Sequence, residues 1–515
     1  MHNMIQPAIK SYYFGKGYQD LWDTIKGAFS NTISFARLSL DFISEFWFKR
    51  PISKIVFVFW LIPLTVVVFF SLAAAISVLI IGTITTFIVS VYHVLILAVI
   101  MLLVYILFSV VWVGDRIYLK VKNISSVCPA CHEKYLIPTY RCSCGREHTQ
   151  LIPSKYGIFH RRCECGKLLG TTFLSKRGKD MTVVCPNCNV IMSGYSAGTA
   201  RVPICIPVIG GRSSGKSAFI TAFVHDFREK LAPRNGWVIQ EYDKEAAMDY
   251  RVLYNNYMSG TIQQTSEFHS IQHMKVSSIP IRFVVGGKKF RPEREIHIYD
   301  VAGEAFTSDN LLEIQKQYEY CHGIVMVLDP FSIRQVWKKY EDELVNDANT
   351  FDTVSNVELQ DVSYALLDYL QKVTGLNEKD ISDIPLAVVL GKIDAAGLDK
   401  ELGEKVVRGL VTESGGFSNP ADVDDYLCRK FLVKYGMESL VSLINSKFKN
   451  NRYFACSAIG HSLGEGQYNP VGVMTPMEWL FREADSQMDS AWNDNEFTRK
   501  PFALKKDIHD LRGEI

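Results

Sequence analysis

Between Ile55 and Gly114 the chain carries no charged residue. A single bilayer crossing needs about 20 apolar residues, so this run suits two crossings. Gly82-Thr83-Ile84-Thr85-Thr86 reads as the break between helices at 55–81 and 87–113. Lys49, Arg50 and Lys54 precede the run, and Arg116, Lys120 and Lys122 follow it. Positive flanks on both sides predict a multi-pass inner (plasma) membrane protein with both ends in the cytosol. A start some 50 residues in argues against a cleaved signal peptide. The competing reading is a helical hairpin buried in a soluble core. Trp60 and Pro63 suit a tilted or kinked entry at the interface. Ahead of the run, Tyr18 to Phe48 mixes Trp22, Phe29, Phe35, Leu38, Phe42 and Phe46 with scattered charges. This stretch reads either as an amphipathic helix on the cytosolic face or as a helix packed on the hairpin or a neighbouring subunit.

Eight of the twelve cysteines lie between 128 and 188, as Cys128-x-x-Cys131, Cys142-x-Cys144, Cys163-x-Cys165 and Cys185-x-x-Cys188. Close pairs on tight turns, with Gly145 and Gly166 after the C-x-C pairs, have the spacing of zinc knuckles. Two pairs make one four-thiolate site, so the set suits two structural Zn²⁺ ions. Sequential pairing, 128, 131, 142 and 144 against 163, 165, 185 and 188, is the simpler arrangement; an interleaved one stays open. Disulfides are disfavoured by a reducing cytosolic face. Residues 116 to 201 carry 14 Lys or Arg against 4 Asp or Glu. Eight thiolates and two Zn²⁺ would absorb a net four of that surplus of ten, leaving about +6 for anionic lipid headgroups. No aromatic-interleaved platform for nucleic acid is evident, and lipid is the expected partner.

Past this module, Ile204 to Ile209 is a short apolar run that reads as a buried strand. It enters Gly210-Gly211-Arg212-Ser213-Ser214-Gly215-Lys216-Ser217, a full match to the phosphate-binding loop pattern. Gly210 and Gly215 let backbone N–H groups from Arg212, Ser213 and Ser214 through Ala218 turn toward phosphate oxygens. Lys216 is expected at the β- and γ-phosphates and Ser217 on Mg²⁺. Glu295 to Tyr299 alternates like a strand and ends at Asp300-Val301-Ala302-Gly303-Glu304. Asp300 is then a second Mg²⁺ contact, and Gly303 can bring its N–H close to a γ-phosphate. Glu304 either orients the attacking water or caps the next helix. Thr265 is the candidate switch threonine, with Thr261 as the alternative.

Ile384 to Leu390 is another buried run, entering Gly391-Lys392-Ile393-Asp394. The run resembles the N-K-x-D or T-K-x-D of GTPases, whose aspartate accepts from guanine's N1–H and exocyclic amine while the lysine stem covers the ring. That resemblance implies that Asp394 selects GTP, with Gly391 in place of the asparagine or threonine. Arg452 to Cys456 reads as the last strand, and Ser457-Ala458 as the loop behind the base, with Ile459 following. Strand candidates at 202–209, 281–285, 295–300, 323–329, 385–391 and 452–456 alternate with helical stretches. That order predicts an α/β fold with a doubly wound, mostly parallel sheet and the ligand at the strands' C-terminal edge.

Across roughly 202 to 485 these motifs resemble the Ras-like, TRAFAC-class P-loop GTPases. The paired knuckles, Tyr156-Gly157-Ile158, the Asp-Val-Ala-Gly-Glu motif and Pro476-Met477-Glu478-Trp479-Leu480 add a narrower likeness. With them the layout resembles bacterial double-GTPase families of ternary conflict systems, in which a cysteine-rich module precedes the GTPase. The resemblance implies a GTP-hydrolysing regulatory switch, slow without a partner, and a role in defence against phage or mobile elements. It also implies a protein effector or second GTPase as partner; a second copy of the chain is a further candidate. Two other functions stay open: a nucleotide-binding scaffold or sensor with little hydrolysis, and a P-loop ATPase. The expected layout is a cytosolic amphipathic region at 1–50, a transmembrane hairpin at 51–115 and a zinc-ribbon-like module with two four-cysteine sites at 116–200. The P-loop GTPase domain follows at 201–485 and a charged tail at 486–515, with Trp492 as its anchor.

Overall fold

A computed structural model describes residues 7–48, 54–128, 130–192, 201–259, 269–271, 274–276, 280–288, 291–301, 320–346, 354–355, 364, 378–414, 420–461 and 468–492. These fall into two compact units, one of residues 1–118 and 144–179, the other of 119–143 and 180–515.

The first unit is dominated by two helices, α1 (Lys16–Phe48) and α2 (Lys54–Val121). α2 is continuous across Gly82 to Thr86, which overturns the expected two-crossing hairpin. No proline lies there, and a helical glycine costs only about 1 kcal/mol relative to alanine. Thr83 Oγ1 donates back to Leu79 O at 2.6 Å, and Thr85 Oγ1 to Ile81 O at 2.7 Å, so these hydroxyls are satisfied within the helix. The glycine serves a different purpose. A Cβ on Gly82 would come within 2.5 Å of Thr32 Cγ2, so its bare backbone admits α1 at close range. Phe14, just ahead of α1, meets Tyr105 edge-on with ring centroids 5.2 Å apart. Contacts pairing 14 with 105 and 32 with 82 make the two helices antiparallel. The helical hairpin of this chain is therefore α1 against α2, and the stretch from Tyr18 to Phe48 is a helix packed on the apolar run.

Among the described residues α2 is the one helix long and apolar enough to cross a membrane. At 1.5 Å per residue its 68 residues run about 100 Å, so one crossing uses about a third of it. Ile62, Phe69, Phe87 and Leu95 stand exposed along it. Near its end Asp115 is buried, accepting from Phe173 N at 2.8 Å and pairing with Arg177. Arg177 also donates to Leu151 O and Thr171 O, so neither buried charge is left uncompensated.

The second unit is built on one seven-stranded sheet. In chain order its strands are β1 (Val202–Gly210), β2 (Val238–Glu241), β3 (Pro280–Gly286), β4 (Arg294–Asp300), β5 (Ile324–Leu328), β6 (Leu386–Leu390) and β7 (Asn451–Ala455). Their spatial order is β2-β3-β4-β1-β5-β6-β7. β4, β1, β5, β6 and β7 are mutually parallel, while β3 runs antiparallel to β4 and β2 to β3. This is the expected doubly wound, mostly parallel α/β sheet, with one strand, β2, that the sequence pattern did not reveal. Both faces are covered, so β1, β5 and β6 are apolar on both sides, while β4 also buries Glu295 and His297, paired at 2.6 Å. Ile204, Ile206 and Val208 point to one face with Phe219 and Phe223 of α3 (Lys216–Asp226). Cys205 and Ile209 point to the other with Phe431 and Leu432 of α4 (Pro420–Lys434). Each such fully buried side chain contributes roughly 1.5–3 kcal/mol.

β7 is an edge strand, and α4 closes part of that edge with carboxylates. Asp425 Oδ1 accepts from Tyr453 N at 2.7 Å and Asp424 Oδ2 from Ala455 N at 3.2 Å. Trp492 is buried and meets Trp237 edge-on at 4.7 Å, as expected of the tail's anchor.

Candidate functional site

The parallel strands end in one row, and the ends of β1, β4, β6 and β7 carry or adjoin motif residues. Gly210 closes β1, Asp300 closes β4, Asp329 follows β5, Gly391 follows β6 and Cys456 follows β7. β1 sits between β4 and β5, where chain direction through the sheet reverses, and ligands of such sheets bind outside that switch point.

The loop between β1 and α3 is tight. A Cβ on Gly210 would collide with Val327 O, so only glycine fits there, and Gly215 has φ +93° at the start of α3. Lys216 is buried with its Nζ folded over the loop, donating to Gly210 O at 3.1 Å and Gly211 O at 2.8 Å. Ser217 Oγ donates to Asp300 Oδ2 at 2.6 Å. The two side chains assigned to Mg²⁺ from sequence, 83 positions apart, therefore meet. Arg212 is exposed, Ser213 is half-buried and Ser214 is buried.

A cleft opens beside this loop, walled by Gly215, Ala218, Gly391, Lys392, Asp394 and Ala458 among others. Lys392 Nζ donates to Asp329 Oδ2 and Ser213 O, at 2.8 and 2.9 Å, and thereby ties the β6 end to the phosphate loop. Asp329 is fully buried and also accepts from Phe331 N and Ser355 N, at 3.0 Å each. Sequence reading missed Asp329. Its signal was an aspartate closing an apolar run before proline. Burial pushes the Asp394 carboxyl above its ordinary value, opposed by a hydrogen bond from Ser457 and by His461 and Lys392. Ser457 pairs with Val471 through both backbone groups, and its Oγ accepts from Gly460 N at 2.7 Å, which fixes the loop behind the cleft. Gly391 leaves space. A Cβ there would lie 3.6 Å from Ser214 O, an ordinary contact. Thr265, Thr261, Gly303 and Glu304 lie outside the described residues.

The eight clustered cysteines form two groups of four, within each of which all sulfurs lie within 4.8 Å. The groups are Cys128, Cys131, Cys185 and Cys188, and Cys142, Cys144, Cys163 and Cys165. Pairing is interleaved, which corrects the simpler sequential scheme. The ladder between Thr139–Arg141 and Thr182–Val184 is the reason. Thr139 lies opposite Val184, so Cys185 falls at the end of the ladder nearer the first knuckle, while Cys142 leaves from the other end. Sulfur separations of 3.5 Å (Cys128 to Cys188), 3.7 Å (Cys131 to Cys185) and 3.8 Å (Cys144 to Cys163) suit a tetrahedral ion with bonds of about 2.3 Å. The two C-x-x-C turns share one backbone pattern. His132 N donates to Cys128 O and Asn189 N to Cys185 O, both at 3.1 Å, and both residues have positive φ. Each group could hold a zinc ion, and neither has an open ligand position. His132 is buried between this site and the sheet, its ring 5.2 Å from that of Tyr299, the residue before Asp300.

No protein-family model and no curated protein matches the sequence. Solved structures that resemble it include the small GTPase Arl6 (BBS3) of Trypanosoma brucei with a bound nucleotide analogue, at 13% identity and TM-score 0.24, covering 55% of this chain and 99% of that one. The Ski7 GTPase-like domain of S. cerevisiae bound to GTP matches at 13% identity and TM-score 0.26, over 58% of this chain and 52% of that one. Roco2 RocCORdC of Methanosarcina barkeri bound to GDP matches at 12% and 0.22, over 55% and 49%. The chain thus spans about half the length of the latter two. The fold assignment stands on the strand order and the phosphate loop, and these distant likenesses add no weight to the site.

Proposed function

We propose that this chain is a membrane-anchored GTP-binding protein that hydrolyses GTP to GDP and phosphate as a regulatory switch. The observation that carries the reading is the convergence of Lys216, the Ser217–Asp300 pair and the Asp394 cleft along one edge of the sheet. Ser217 Oγ and Asp300 would hold Mg²⁺, which neutralises charge on the phosphate oxygens. Lys216 exchanges two loop carbonyls for phosphate, and the amides at the start of α3 face the same charge. Asp394 accepts from two guanine donors, which relieves the cost of its burial. Lys392, clamped by Asp329 and Ser213 O, lays its stem against the base. Thr265, Gly303 and Glu304 are the proposed switch and water-positioning residues. α2 supplies the membrane anchor, and the basic segment from Arg116 onward sets the GTPase domain on the cytosolic side. The two cysteine groups hold structural zinc. A defence role, and an effector or second GTPase as partner, rest on the sequence resemblance alone. The test is nucleotide binding followed by single turnover on the purified full-length protein. Tight GTP binding without phosphate release would convert the reading to a scaffold or sensor, and equal ATP turnover to a generic ATPase.

A further inference from the structure

The loop after β7 places one side chain in the cleft that the motifs do not assign. A Cβ on Gly460 would collide with Asn469 O, and its φ is +86°, so glycine is required where the chain turns. The next residue, His461, lines the same cleft as Asp394 and Lys392. Its ring stacks on Tyr468 with centroids 5.6 Å apart and planes 22° apart. Tyr468 stacks in turn on Tyr257, at 4.5 Å and 21°. The Tyr257 hydroxyl donates to Ala458 O, within the loop itself. A column of three rings, pinned at both ends to one loop, holds the imidazole at the cleft wall.

The three residues that the base motif places at this end of the cleft, Gly391, Lys392 and Asp394, direct no donor into it, and this imidazole adds one. Asp394 as a carboxylate only accepts. Lys392 directs its Nζ to Asp329 and Ser213 O. Gly391 has no side chain at all. A purine bearing oxygen at C6 presents acceptors at that oxygen and at N7, and a ring N–H meets them. An adenine presents an amine at C6, which a ring N–H repels. We propose that His461 is a specificity-determining residue that donates to the C6 oxygen edge of the base and selects 6-oxopurine over 6-aminopurine nucleotides. Asp394 reads the N1 and C2 side, and His461 reads the other. The proposal rests on the GTP-binding reading above.

The experiment is titration of full-length protein with GTP, ITP and ATP, for wild type and for His461→Ala, His461→Gln and His461→Phe. ITP keeps the C6 oxygen but lacks the C2 amine, so it separates His461 from Asp394. His461→Ala is expected to weaken GTP and ITP alike by about tenfold and to leave ATP unchanged or tighter. His461→Gln retains a donor and should recover much of the GTP over ATP preference. His461→Phe preserves the stack on Tyr468 without the donor and should behave like alanine. If phenylalanine keeps the wild-type preference, the ring only packs and the proposal fails. It also fails if every variant keeps the wild-type ratio. A wild-type protein that prefers no guanine nucleotide sinks the GTP-binding reading itself, an outcome visible before any variant is made.

Discussion

Ser217 Oγ and Asp300 Oδ2 share a 2.6 Å hydrogen bond that joins the first turn of α3 to the tip of β4. Each residue serves as the other's partner in a place suited to a divalent cation. Ser217→Ala and Asp300→Ala should therefore abolish the Mg²⁺ dependence of GTP affinity. GDP affinity, which relies less on the ion, should fall less. GTP and GDP titrations with and without Mg²⁺ check this; unchanged Mg²⁺ dependence in Asp300→Ala would remove both residues from the ion's shell.

At the base end, Asp394→Asn should weaken GTP by roughly 2–3 kcal/mol, about 30- to 150-fold, through loss of charge-assisted hydrogen bonds. It should improve xanthosine triphosphate, whose 2-oxo group accepts from the new amide. Lys216→Ala should weaken all triphosphates alike, because it touches phosphate and not base. Gly391→Asn meets its nearest atom at an ordinary 3.6 Å, so it should fold like wild type and leave GTP affinity equal or higher. Competition binding with GTP, xanthosine triphosphate and ATP reads all of these.

Interleaved pairing makes a prediction that sequential pairing does not. Elemental analysis should find two Zn²⁺ per chain. The double variant Cys128→Ser/Cys185→Ser damages a single group and should keep one ion; Cys128→Ser/Cys163→Ser damages both groups and should lose both. Loss of both ions from the first variant would restore the sequential scheme. Because metal binding is folding free energy in such modules, each lost ion should also lower the unfolding midpoint.

Burial lifts the Asp424 carboxyl from 3.8 to about 7, reinforced by Asp425 and opposed by the Ala455 N–H. A folded pKa above the unfolded one means that the folded state holds the proton more tightly between those two values. Stability from this group is full below the unfolded pKa, declines as pH rises toward the folded pKa, and stays low above it. The ceiling on the effect is on the order of 4 kcal/mol. Asp424→Asn, whose amide oxygen still accepts from Ala455, should be the more stable protein at pH 8 and lose that advantage near pH 4.5. Urea midpoints at the two pH values measure it, and an offset independent of pH would show that the carboxyl is not shifted.

What could be read in advance follows from how each element is encoded. β1, β5 and β6 are buried apolar runs, β4 alternates and ends at Asp300, and β7 leads into the loop behind the base, so local composition reveals them. β2 escaped notice because it is four residues long and largely exposed, with no alternation to betray it. Gly82 was misread because glycine serves turns and close helix contacts equally, and only the position of Thr32 decides between them. Cysteine pairing depends on a ladder between strands some forty residues apart, which spacing within the knuckles does not encode. Asp329 and His461 belong to no motif; chain folding alone brings them to Lys392 and Asp394.

The proposed function has GTP bound and cleaved at the C-terminal ends of the parallel strands. Single-turnover assay of full-length wild type with GTP and ATP, alongside Lys216→Ala and Asp394→Asn, tests it most directly. Wild type is expected to release phosphate from GTP in preference to ATP, in a Mg²⁺-dependent reaction. That release should be lost in Lys216→Ala, while Asp394→Asn should lose the preference for guanine. No binding of either nucleotide, or equal use of ATP and GTP with no effect of Asp394→Asn, would contradict it.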